Sequence, residues 1–336
     1  LPDLHRRFLT GGMARALLLF AAAVILGLGL FAWEGFNYRA PGPRDSEAVV
    51  LIPPGAGLAG IGDRLQAANV IKNSLLYQLG VRMRGQAALL KAGEYAIPAR
   101  ASMAEITALL ISGRVVLHRL TAAEGLTSAM IVTLVKNDPV LAGEVGPVPP
   151  EGSLLPETYL FARGMTRSAL LAKMKQAQTD FLDAHWAKRA SGLPFQTKEQ
   201  AIILASIVEK ETAIASERRH IAAVFINRLK RGMKLQSDPT IIYGLTRGYP
   251  LGRAILQSEI DAPTPFNTYV IPALPPSPIC NPGKDSILAV LNPIASDDLY
   301  FVADGHGGHV FAPTNAEHEK NVARWRKIRS ERAKMP

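Results

Sequence analysis

The chain has 336 residues, 48% hydrophobic and 20% charged, which is enough apolar side chain for a packed core and excludes global disorder. Its 38 Lys and Arg against 28 Asp and Glu leave a net charge of +10, favouring anionic partners such as nucleic acid, membrane lipid or an acidic polymer without choosing among them. The single cysteine, Cys280, excludes an intramolecular disulfide, a CxxC redox pair and every multi-cysteine zinc or iron–sulfur site.

From Ala16 to Trp33 the sequence ALLLFAAAVILGLGLFAW carries no charge over 18 residues, close to the roughly 20 apolar residues that cross a bilayer as a helix. Arg6, Arg7 and Arg15 precede this run and Glu34 follows it. The basic flank therefore places residues 1–15 in the cytoplasm as a tail, 16–33 in the membrane and everything after about residue 40 outside, with Trp33 in the outer interfacial belt. A cleaved signal peptide has the same basic-then-apolar order. The anchor is preferred because the run is long for a signal core and no small-x-small site follows directly. The chain starts at Leu1 without an initiator Met, so it is expected to begin inside its reading frame or after processing.

Residues 34–46 read as a linker, rich in Pro and charge from Arg39 on. A small α+β module follows over 47–125: a strand into Pro53, a helix with Leu58, Ile61 and Leu65 on one face, and a helix from Ser74 to Arg82. A short strand over 91–95, a helix capped by Ser102 and ended by Gly113, and the strand VVLHRLTA complete it. Residues 126–336 form the second, larger domain. The Pro- and Gly-rich stretch GPVPPEGSLLPETY marks the passage into its helical part near residue 150. Helices are expected over 167–191, 198–213 and 216–231, with Ser216 as N-cap and Gly232 closing the last. Pro-rich turns follow, then two strands around the Gly-rich turn of LYFVADGHGGHVFA and a basic tail, RWRKIRSERAK.

The helix IILASIVEKETA sets two carboxylates in apolar surroundings. At 100° per residue Glu211 falls among Leu204, Ile207 and Val208, whereas Glu209 falls near Ile202, Ala205, Ser206 and Lys210. Glu211 is the more desolvated of the two. Desolvation raises a carboxyl pKa, and a carboxyl protonated at neutral pH serves as the general acid that glycosidic cleavage requires. The competing reading pairs Glu211 with Arg218 or Arg219 at a solvated helix end. Two polar strings, Gln236-Ser237-Asp238-Pro239-Thr240 with Tyr243-Gly244, and Asn267-Thr268-Tyr269, suit a hydroxyl-rich ligand. Asp-Pro and Asn-Thr are also common turn formers, so both readings stand.

No metal site is expected: His306 and His309 flank Gly307 and Gly308 in a hairpin turn with no partner at zinc-ligand spacing. Cys280, among prolines, is not expected to be a nucleophile. There is no P-loop and no strand–GxGxxG–helix unit, so neither a nucleotide nor any other cofactor is expected. The basic tail reads as a solvated or membrane-proximal helix rather than a nucleic-acid contact.

The strings LASIVEKETA, ERRHIAAVFINRLKRGMKLQSDPTIIYG, TPFNTYVIPALPPSPICNPG and YFVADGHGGHVFA, in this order, resemble the YceG-like family, the endolytic murein transglycosylases. The resemblance is dense from Glu151 to Val322 and looser over 47–125. It implies an α+β protein with an N-terminal transmembrane helix, a small LysM-like module and a larger α+β catalytic domain with a helical core. It implies a single-pass protein of the inner membrane whose catalytic domain is periplasmic and cleaves the β-1,4 bond between N-acetylmuramic acid and N-acetylglucosamine within peptidoglycan glycan strands. The implied products end in 1,6-anhydro-N-acetylmuramic acid, and cleavage would terminate nascent strands beside peptidoglycan synthases.

The family's catalytic glutamate falls on Glu211. Gln236, Asp238, Thr240, Tyr243 and Asn267 would position sugars or stabilise oxocarbenium-like charge, and Glu209 would have a structural or substrate-orienting task. Where the family often reads EGxxFPDTY, this chain has Leu155 at the aromatic position and Glu157 at the Asp, which removes a sugar-stacking ring there. Two other functions fit the same residues: a hydrolytic muramidase in which Asp238 holds the attacking water, and a non-catalytic peptidoglycan-binding scaffold.

Overall fold

The computed structural model describes residues 3–332 and divides into two compact units, one ending at His118 and the other starting at Arg119. Leu1, Pro2 and residues 333–336 lie outside the described residues, and the side chains of Arg6 and Arg7, which carry part of the orientation argument, are likewise outside them.

The first unit opens with α1 (Asp3–Arg39), in which the stretch Arg15–Arg39 is long and apolar enough to cross a membrane and its apolar window is not buried inside the protein. Strand β1 (Ala48–Ile52) follows, then α2 (Leu58–Ala67), α3 (Ser74–Met83) and β2 (Gly93–Ile97). The two strands are antiparallel, with Val50 opposite Tyr95. Alternation turns Ala48, Val50 and Ile52 inward, and these side chains meet Leu65, Tyr77, Tyr95 and Ile106 in one core.

Next comes α4 (Met103–Ser112), which starts on a capping box: Ser102 Oγ accepts from the Glu105 amide while the Glu105 carboxylate accepts from the Ser102 amide. It ends at Gly113, whose φ of 72° lies in the left-handed region that favours glycine. Both ends agree with the expectation from sequence.

The stretch 34–46, expected as a linker, is helical as far as Arg39 because the end of α1 has a face to bury. Glu34 and Tyr38 are 3% and 1% exposed. Glu34 pairs with Arg84 at 3.0 Å, the Tyr38 hydroxyl lies 2.6 Å from Thr107 Oγ1, and the Arg84 guanidinium sits over the Tyr38 ring at 3.9 Å. Gly80 permits the close approach of α3, since a Cβ there would meet the Tyr38 ring at 2.4 Å.

The second unit begins within β3 (Leu117–Thr121), which pairs with β4 (Thr158–Ala162). That pairing ties the chain from Arg119 to the larger unit, so the division falls before the expected 125/126. Between these strands lies α5 (Ser128–Asn137), and the Pro- and Gly-rich stretch near residue 150 is internal to the unit. Then come α6 (Arg167–Trp186), α7 (Lys198–Glu211) and α8 (Arg218–Lys230). Glu217, after a 3-10 turn at Ala215–Glu217, occupies the N-cap position of α8, correcting the assignment to Ser216.

The region expected as Pro-rich turns contains α9 (Asp238–Thr246), the short α10 (Gln257–Ile260) and α11 (Lys284–Leu291). Strands β5 (Tyr300–Ala303) and β6 (His309–Ala312) form an antiparallel hairpin, and α12 (Asn315–Arg332) follows. Every residue of α7 from Ala201 to Val208 is buried, packed with α8 and α11 into the unit's main core. The result is a mixed helix and sheet protein in which one helix, buried through its middle, carries a carboxylate at its last position.

Candidate active site

Helix α7 starts on a capping box between Thr197 and Gln200 and stops where Thr212 turns extended, at φ −139°. Glu211 is therefore the last helical residue, projecting from a buried helix into a cleft of about 520 Å³. Arg228, Gln236, Asp238, Tyr269, His309 and Trp325 are among the residues that line this cleft with it.

Glu211 Oε2 accepts a hydrogen bond from Ser237 Oγ at 2.9 Å. Ser237 is fully buried and clamped on both sides: its amide donates to Thr268 Oγ1 at 3.0 Å and its carbonyl accepts from Thr240 Oγ1 at 2.6 Å. Ser237 holds the N-cap position of α9 yet caps nothing with its side chain, because the hydroxyl is directed to Glu211. Its neighbour Asp238 accepts from the Tyr269 hydroxyl at 2.6 Å. Arg228 is anchored by donating to the Leu299 carbonyl at 2.6 Å and the Leu235 carbonyl at 2.7 Å.

Burial pushes the Glu211 carboxyl up to about 7. The Ser237 hydrogen bond opposes this, the negative Asp238 adds to it, and His309 and Arg228 draw it back down. Both protonation states are then populated near neutral pH, so one side chain can deliver a proton and recover it. His309 is held by Glu217, which accepts from the His309 amide at 2.9 Å and meets its Nδ1 at 2.7 Å.

The expected site residues divide into two groups. Glu211, Gln236 and Asp238 are brought together in the cleft. Thr240, Tyr243, Asn267 and Glu209 are not among its lining residues. Thr240 is fully buried and braces Ser237. Tyr243 donates its hydroxyl to Glu151 at 3.3 Å and packs on Phe266. Asn267 is fully buried, and its amide nitrogen donates to the carbonyls of Glu259, Ile260 and Ala262. These three have polar atoms because buried backbone and neighbouring side chains need partners.

Glu209 points away from Glu211. It accepts from the Gly283 amide at 2.9 Å, at the start of α11, and lies 3.7 Å from Arg218, which also pairs with Glu124 and Asp285. The arginine that competed for Glu211 in the sequence is thus taken up elsewhere, while the Arg219 side chain donates to the Asn292 carbonyl. Leu155 belongs to the hydrophobic core, and Glu157 pairs with Lys284.

The sequence names Ser237 and Tyr269 only as members of the polar strings and His309 only in a metal site set aside, and it gives Arg228 and Trp325 no individual role. For Ser237 there was a signal: a serine followed by Asp-Pro is a helix-start pattern, which would have placed its side chain at a fixed helix end. Tyr269 stood inside a string already singled out. Nothing local marks Arg228 or Trp325, which reach the cleft from α8 and α12 through tertiary packing.

The YceG-like family model matches residues 50–324. The endolytic murein transglycosylase of Streptococcus pneumoniae serotype 2 is 30% identical over 322 residues, covering 82% of this chain; the chain spans only 57% of the length of that relative. The endolytic murein transglycosylase of Bacillus subtilis is 28% identical over 331 residues, covering 88% of this chain and 90% of the relative. A crystal structure of a putative yceG-like protein from Listeria monocytogenes is 27% identical, covers 82% of this chain and 99% of its own, and superposes with a TM-score of 0.49.

Proposed function

Because the chain belongs to the YceG-like family, we propose that it is a membrane-anchored endolytic transglycosylase that cuts peptidoglycan glycan strands between N-acetylmuramic acid and N-acetylglucosamine and leaves 1,6-anhydro-N-acetylmuramic acid ends. The observation that carries this reading is Glu211, seated at the end of α7 and lining the cleft, with its carboxyl pushed up to about 7 by burial. The names borne by the pneumococcal and Bacillus relatives support the same reading.

In the first step the protonated Glu211 carboxyl donates to the glycosidic oxygen as the bond to the muramoyl anomeric carbon breaks. The carboxylate so formed removes the proton from the C6 hydroxyl of the same muramoyl residue, whose oxygen closes on its own anomeric carbon. The nucleophile is tethered to the reacting sugar, so its effective concentration is high and no water need be held. Ser237 steadies the carboxylate between the two proton transfers. Asp238, carrying the Tyr269 hydroxyl, and Gln236 border the space where the charged sugar forms. No cofactor enters this scheme.

The apolar helix anchors the chain with its N-terminus in the cytoplasm, Arg15 being the described member of the basic flank, and leaves both folded units in the periplasm beside glycan strands and the synthases that extend them. The strand, helix, helix, strand order of the first unit, with its strands antiparallel, supports a LysM-like module.

Product analysis tests the activity. Purified full-length protein incubated with unsubstituted glycan strands is expected to release internal fragments with anhydro ends and no oxygen from labelled water. Reducing ends carrying that label would instead establish a muramidase, and intact strands a scaffold.

A further inference from the structure

A cleft of about 710 Å³ lies where α1 meets the C-terminal end of α3. Phe31 and Ala32 come from the uncharged run of α1, Phe36 and Arg39 from its last turns, and Met83 and Arg84 from the end of α3. We propose that this cleft sits in the headgroup layer of the bilayer that holds α1 and takes an anionic phospholipid, acyl chain against Phe31, Phe36 and Met83, phosphate against Arg39 and Arg84. The proposal rests on the anchoring reading and concerns a surface remote from Glu211 in sequence and in chemistry.

Height is the first argument. Phe31 and Ala32 precede Trp33, so at about 1.5 Å of rise per residue they lie at or below the level at which the apolar run ends. Whatever shares a cleft with them is at the membrane boundary too. The direction of α3 agrees: Leu76, near its start, lines a separate cleft with Asn37, Ala40 and Pro41, whereas Met83, at its end, reaches Phe31. Helix α3 therefore descends toward the bilayer.

Rigidity is the second. The Glu34–Arg84 pair and the close contact at Gly80 lock the end of α3 onto α1, while the Tyr38–Thr107 hydrogen bond ties α1 to α4. If the helix is inserted, Met83 is held at the interface with it.

Composition is the third. Phe36 is 76% exposed and Met83 43% exposed, large apolar side chains beside basic ones. Among the described residues, no carboxylate lies within ion-pair distance of Arg39, and the only carboxylate on Arg84, that of Glu34, leaves the guanidinium 29% exposed. Apolar surface rimmed by cations is what an anionic leaflet binds.

The test uses the full chain in nanodiscs of phosphatidylcholine, with or without phosphatidylglycerol, and acyl-chain spin-labelled lipid as quencher. A fluorophore is placed in turn at Met83→Cys, Leu75→Cys and Leu26→Cys in a Cys280→Ala background. Leu75 is 75% exposed and lies eight residues back along α3, about 12 Å farther from the bilayer. Quenching at Leu26 and Met83, weak at Leu75, is expected. Quenching at Leu26 with Met83 no stronger than Leu75 overturns the docking and leaves the anchor standing; no quenching at Leu26 removes the anchor and the proposal with it.

The lipid preference has a second readout that needs no cysteine change. Phosphatidylglycerol retained by the detergent-extracted protein is expected to fall about fivefold in Arg39→Gln. Equal retention in the two proteins would overturn the anionic-lipid assignment.

Discussion

Ser237 donates its hydroxyl hydrogen to the carboxylate of Glu211 across 2.9 Å, from a position at which most serines would cap their own helix. A buried carboxyl is thereby given one fixed donor and an open side facing the cleft. That geometry favours a group that must hold a charge briefly and then lose it.

Glu211→Gln is expected to lower turnover by at least about a hundredfold, since the amide cannot give up and recover a proton, with the fold preserved by circular dichroism. Glu209→Gln is expected to retain measurable turnover and to be less stable by about 1–3 kcal/mol, because its carboxylate serves the Gly283 amide and Arg218. Release of anhydromuropeptides by each purified variant checks the pair; the reverse pattern would remove Glu211 from the mechanism.

The alkaline limb of kcat/KM is expected near pH 7, where Glu211 loses the proton it must donate. Ser237→Ala is expected to move the limb upward, since the lost hydrogen bond had stabilised the carboxylate. Asp238→Asn is expected to move it downward, since the lost negative charge had destabilised it. Opposite displacements in a pH–rate series are required; shifts of one sign would sink this account of the carboxyl.

The same raised pKa affects folding. The stability associated with the protonated Glu211 is fully present below the ordinary value of 4.5 and is lost as pH rises through about 7. Thermal melts of Glu211→Gln and the parent protein are expected to coincide most nearly below about pH 4.5, to diverge as pH rises to about 7 and to keep a steady gap above it, with the variant the more stable. A constant gap across pH would contradict it.

Tyr243→Phe and Asn267→Ala address side chains that the polar strings had suggested for sugar contacts. Each bonds to protein instead. Losses of about 1 kcal/mol and about 2–3 kcal/mol in stability are expected, the larger because three carbonyls lose the Asn267 amide as donor and only that of Ala262 keeps another, the Thr264 amide, with KM for glycan unchanged. A raised KM at undiminished stability would restore the sugar-binding role.

A reporter active only in the periplasm and fused to the C-terminus is expected to be active, because the basic flank that includes Arg15 precedes the apolar run. Activity from a cytoplasmic reporter at the same position would reverse the orientation and put a cell-wall substrate out of reach.

The features legible in the sequence came from periodicity. The wheel separated Glu209 from Glu211 because α7 is a regular helix buried on every side, and the caps at Ser102 and Gly113 are local patterns. The features hidden from it depended on partners distant along the chain. A buried threonine or asparagine reads like a ligand contact until the carbonyl it satisfies is known, as with Asn267 and residues 259–262. The prolines around α9 hid a helix whose first turn Pro239 suits. The fate of Arg218 was undecidable from spacing, because Glu124 and Asp285 approach it from far along the chain.

Position 237 also sets a limit for anyone seeking a hardier protein. At an exposed helix end Ser237→Asp would add a cap and favour the helix dipole, each effect worth about 1 kcal/mol. Here the side chain is fully buried, so the new charge would be desolvated and set against Glu211, tightening that residue's hold on its proton and removing the donor it relies on. Capping gain and turnover are lost together at this one side chain. Heat-tolerant variants are therefore expected to keep Ser237 and to find their caps elsewhere.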